Sequence, residues 1–69
     1  MAGALGRSEL EDLEDMIDRS SLEEVLVGLA QICYEKAEHL RSNWQDEGAA
    51  RIWERDAKKL DALAAKVQT

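Results

Sequence analysis

The stretch SLEEVLVGLAQICYEKAEHLR, residues 21–41, decides the fold. Ser21 followed by Glu24 is a capping-box pattern, in which hydroxyl and carboxylate satisfy the first backbone N–H groups of a helix. Leu22, Val25, Leu26, Leu29, Ile32, Cys33, Ala37 and Leu40 then recur at helical spacing. The spacing predicts a helix from about 22 to at least 41, and Trp44 continues its apolar face to about 44. Val27, Ala30 and Tyr34 form a second stripe beside the first. An ordinary surface helix carries an apolar sector a little over 100° wide, and this one covers roughly twice that. One facing helix cannot bury such a width.

Downstream, Ala49, Ile52, Trp53, Ala57, Leu60, Leu63, Ala64 and Val67 mark the buried side of a helix over about 47–67. Arg51, Arg55 and Lys58 occupy its other side. The reversal falls within 42–48, where Ser42-Asn43, Asp46 or Gly48 can serve as the cap. A short connection between two long helices makes them antiparallel neighbours. Upstream, Ser8 and Glu11 have capping-box spacing, and Leu10, Leu13 and Ile17 form a narrow stripe. They predict a short acidic helix over about 9–19, after a flexible N-terminus at 1–7. A helix this short is marginal alone. It is expected to dock, and the basic side of the third helix is one place for it.

The fold class is therefore all-α, an antiparallel helical hairpin (about 22–44 and 47–67) with a short N-terminal helix, in one domain over 8–69. Excess apolar width on the second helix favours pairing of two hairpins into a dimeric four-helix bundle. A 69-residue chain is in the range where a core needs disulfides, a metal, very good packing or a partner subunit. Cys33 is the only cysteine, which rules out a disulfide within the chain.

Net charge is −6, and residues 1–24 hold the whole excess: eight acids against Arg7 and Arg19. The remainder carries seven acids and seven bases. Direct nucleic-acid binding wants the opposite sign, so none is expected. No stretch approaches the roughly 18–20 apolar residues of a membrane span. Met1 to Gly6 lacks the basic and long apolar regions of a signal peptide. A lone thiol suits a reducing cytoplasm.

Catalytic readings find little support. His39, the only histidine, has Glu35 at i−4, but the Glu-x-x-His pattern of helix-bundle metal sites is absent. A solvated contact between His39 and Glu35 is expected instead. The acids of the first helix invite comparison with all-helical nucleotide pyrophosphohydrolases, whose paired helices hold magnesium. Here they flank an apolar stripe and point outward, as a solvated face does. Cys33 sits in the apolar stripe with no activating neighbour, which suits a small buried hydrophobe. Neither a catalytic residue, a cofactor nor a metal is expected. The reading is an interaction module without catalysis, dimerising through Val27, Ala30, Tyr34 and Trp44. The alternative is an acidic mimic of nucleic acid that occupies a partner's basic cleft through Glu11, Asp12, Glu14 and Asp15. A metal-dependent helical enzyme stands third.

Overall fold

The structure is a computed structural model that describes residues 5–69. Residues 1–4 of the expected flexible N-terminus lie outside the described residues. The chain is all-helical among the described residues, with α1 Arg7–Arg19, α2 Leu22–Asn43 and α3 Glu47–Ala64.

Each helix starts where a side chain satisfies early backbone donors. For α2 the Ser21 hydroxyl accepts from the Glu24 N–H at 3.0 Å. For α3 the Asp46 carboxylate accepts from the Ala49 N–H at 3.0 Å, which selects Asp46 from the three caps considered for the reversal. The start of α1 departs from expectation. Gly6, not Ser8, is the cap, and Glu9 reaches back to accept from the Gly6 N–H at 2.7 Å. Glu9 holds the same position relative to Gly6 that Glu11 holds relative to Ser8, so the helix begins two residues earlier. At the reversal, Gln45 takes φ 50°. This left-handed residue returns the chain so that both the Trp44 and Asp46 N–H groups donate to the Leu40 carbonyl. A further backbone bond, 2.7 Å from the Glu23 N–H to the Thr69 carbonyl, ties the segment after α3 to the start of α2.

Contacts between α2 and α3 run in reverse order along the two helices. Arg41 meets Glu47, Lys36 lies over Trp53, and Glu23 meets Thr69. The helices are therefore antiparallel, and the residues between them are small. The buried residues are Ala30 and Ala37 on α2 with Ala50, Ala57 and Ala64 on α3, each at most 3% exposed. Both sets repeat every seven residues, the period that keeps one row facing a partner helix. Alanine has no side chain beyond Cβ, so it lets two helix backbones approach more closely than leucine does.

This seam corrects the expected core of α3. Ile52, Trp53 and Leu63 were placed on its buried side, yet all three are exposed, Ile52 at 59%. Ala50, absent from that expected set, is fully buried. With the helices drawn together on alanines, a large residue 40° or more round the wheel falls at the lip or outside.

The docking of α1 also differs from expectation. It packs on α2 alone and makes no contact set with α3, so the basic side of α3 is not neutralised by the acidic helix. The link is only Ser20-Ser21, which holds α1 at the N-terminal end of α2. No α1 residue is buried.

Candidate functional site

One side of the α2/α3 pair carries a cluster of exposed apolar side chains. On α2, Leu29, Ile32, Lys36 and His39 follow i, i+3, i+7, i+10 spacing. On α3, Trp53, Asp56, Leu60 and Leu63 repeat the same spacing, with Ile52 beside Trp53. Leu29, Ile32, Ile52, Trp53 and Leu63 are exposed, Ile32 and Leu63 at 49% each. The Lys36 ammonium stands 5.5 Å from the Trp53 ring centroid, an attraction between cation and π face across the two helices. Beneath it runs an open groove of about 520 Å³ lined by Ile32, Glu35, Lys36, His39, Leu40 and Trp53.

At the closed end of the groove, His39 is held by the last turn of its own helix. The Trp44 indole N–H donates to its Nε2 at 3.3 Å, and the Asn43 amide lies 2.7 Å from its Nδ1. Both ring nitrogens are engaged, so neither is free to ligate a metal. The expected pairing of His39 with Glu35 does not form. Glu35 accepts instead from the Gln31 amide at 3.2 Å. Among the described residues, no group of three or more His, Cys, Asp or Glu converges on a site for a metal ion.

The opposite side of the pair carries a network of ion pairs. Arg41 donates to both carboxylate oxygens of Glu47, at 2.8 and 3.0 Å, and its Nη2 lies 3.5 Å from Glu54. Arg51 adds a bond to Glu47 at 3.3 Å. The Arg41 hydrogen bonds hold the Glu47 carboxyl below its ordinary value, and the two carboxylates raise the Arg41 guanidinium above its own. Burial, then the neighbouring Asp61 and Glu54, pushes the Tyr34 phenol up.

The residues expected to form an interface separate on this frame. Ala30 is 1% exposed and stands in the seam, so it belongs to no outward patch. Val27 and Tyr34 remain exposed on the polar side, and Trp44, 70% exposed, caps the end of α2. The acidic group Glu11, Asp12, Glu14 and Asp15 is exposed along α1, with Glu11 3.8 Å from Arg7. The sequence reading counted Leu29, Ile32, Ile52, Trp53 and Leu63 as core. The signal that separates them from the core is the seven-residue alanine repeat on both helices.

Among the described residues, no helix is long and apolar enough to cross a membrane. The chain matches no family model, no curated protein and no solved structure.

Proposed function

We propose that this chain is a non-catalytic protein–protein interaction module that works as a homodimer, joined through the outer face of α2 and α3. The observation that carries the reading is the inversion of size. Five alanines are buried, and the large apolar side chains beside them are left in water. Each buried carbon contributes only about 0.8 kcal/mol, so an alanine seam is a thin core.

Shape and area support a second copy as the cover. The radius of gyration is 13.7 Å, where a compact chain of this length has about 11 Å. The accessible surface is 5454 Å², where a compact monomer of this mass exposes about 4,300 Å². The excess is shared between α1, none of whose residues is buried, and the outer face, and it is of the order of the roughly 800 Å² that each partner contributes to a standard interface. A half-buried free thiol at Cys33 is compatible with work in the cytoplasm.

Sedimentation velocity across a concentration series tests the reading. The expected result is a dimer that dissociates on dilution. Replacing Ile32 and Leu63 together by glutamate is expected to leave a helical monomer, because both side chains already stand outside the seam. A wild-type chain that stays monomeric at high micromolar concentration overturns the reading.

A second reading rests on α1, whose Glu11, Asp12, Glu14 and Asp15 are exposed together. In it the acidic helix imitates nucleic-acid charge and enters a basic cleft on another protein. Such binding weakens steeply with salt. Changing those four residues to their amides is expected to abolish capture of a basic partner, and capture that persists counts against this reading.

A further inference from the structure

The outer face carries more information than its hydrophobicity, because its two stripes match step for step. Lys36 over Trp53 and Arg41 on Glu47 lean one way along the pair, Arg41 on Glu54 and Tyr34 beside Asp61 lean the other. Midway between them, Leu29 is level with Leu63, Ile32 with Leu60, Lys36 with Asp56 and His39 with Trp53. The pairs are matched in kind: apolar at the first two steps, opposite charges at the third, aromatic rings at the fourth. Among the described residues, neither Lys36 nor Asp56 enters a salt bridge, whereas Arg41, Glu47, Arg51 and Glu54 on the opposite side all do.

Two hairpins can stack face to face about a two-fold axis in two ways. With the axis across the helices, α2 lies on α2 in reverse. The register then depends on where the axis crosses, but no crossing that sets the stripes on one another brings Lys36 onto an acid or Asp56 onto a base. With the axis midway, Ile32 meets the partner's Lys36 and Leu60 meets the partner's Asp56, each charge on an apolar side chain at a desolvation cost. With the axis parallel to the helices, α2 lies on α3 of the partner at the same level. Leu29 then meets the partner's Leu63, Ile32 meets the partner's Leu60, and Lys36 meets the partner's Asp56. Every neighbouring helix pair is antiparallel in both forms, so the choice rests on the side chains that meet. We infer that the dimer takes this second form, a four-helix bundle with α2 on the partner's α3, registered by two symmetric Lys36–Asp56 ion pairs.

The inference rests on the self-association proposed above, and a charge-swap experiment separates the two. Equilibrium sedimentation is run on the wild type, on K36E, on D56K, and on an equimolar mixture of the two variants. Each variant alone sets like charges against each other twice, and its dissociation constant is expected to rise about tenfold. In the mixture both contacts are opposite in sign, and association is expected to return to within about threefold of the wild type. K36E also removes the Lys36–Trp53 contact inside the chain, so recovery on mixing is the deciding readout. A wild-type dimer whose affinity neither variant alters, or whose loss is not recovered on mixing, overturns the inference and leaves self-association standing. A monomeric wild type overturns both.

Discussion

Along α2, Ala30 and Ala37 are sealed between helices, while Leu29 and Ile32, immediate or near neighbours in sequence, face water. The same split runs along α3, where Ala50, Ala57 and Ala64 are buried beside exposed Ile52, Trp53 and Leu63. The inside of the pair and its outer face thus differ in side-chain size in the reverse of the usual sense. The comparison teaches that burial follows from helix separation before hydrophobicity. Rows of alanine let two helices approach closely, and only alanines are fully covered between them. Larger residues beside them are half-buried, as Leu26, Leu40 and Leu60 are, or exposed.

Added volume should therefore have opposite consequences inside and outside the seam. The largest effect is expected from Ala57→Leu, since that position has no free surface. Overpacking of this kind costs about 1–3 kcal/mol, and thermal melts followed by circular dichroism should show a clear fall in Tm. An unchanged Tm would show that the helices are not set by the alanine row. On the far side of α2, a Cβ added at Gly28 meets nothing within 4 Å. Gly28→Ala is expected to stabilise by about 0.5–1 kcal/mol, the usual gain of alanine over glycine within a helix. Denaturant titration reads this directly, and a loss would mean that α2 is approached on that side.

The smallest effect concerns the polar edge that closes the pair opposite the apolar face. Glu47 has a lowered pKa in the folded chain because it accepts hydrogen bonds from Arg41. Its contribution to stability is fully present above the ordinary glutamate value. It is lost as pH falls through the lower folded value, where the carboxylate is protonated. The wild-type Tm should decline through this acidic window. Glu47→Gln, which cannot titrate, should start lower and decline less. Parallel curves for the two proteins would show that the edge contributes nothing to acid sensitivity.

Much of the fold was legible from local chemistry. Ser21 and Asp46 announce the starts of α2 and α3 through oxygens that accept from backbone N–H groups three residues on. The acidity of α1 and its weak apolar stripe were equally plain. The candidate site was legible only in part. Excess apolar width on α2 points to Val27, Ala30, Tyr34 and Trp44 as an outward patch; Ala30 is buried in the seam, while the other three are exposed. Ranking residues by hydrophobicity sends isoleucine and tryptophan inward and treats alanine as neutral. The alanine repeat carries the opposite message, and it is informative only when both helices are read together.

The sequence alone determined three helices, the Ser21 cap of α2, the −6 charge gathered at the N-terminal end, and the wide apolar surface of α2. Those properties depend on neighbours within one or two turns, and the order of residues specifies them. Only the tertiary structure decided which apolar residues are covered and which are exposed. That choice depends on which rows meet between α2 and α3, here the two alanine rows, rather than on either helix by itself.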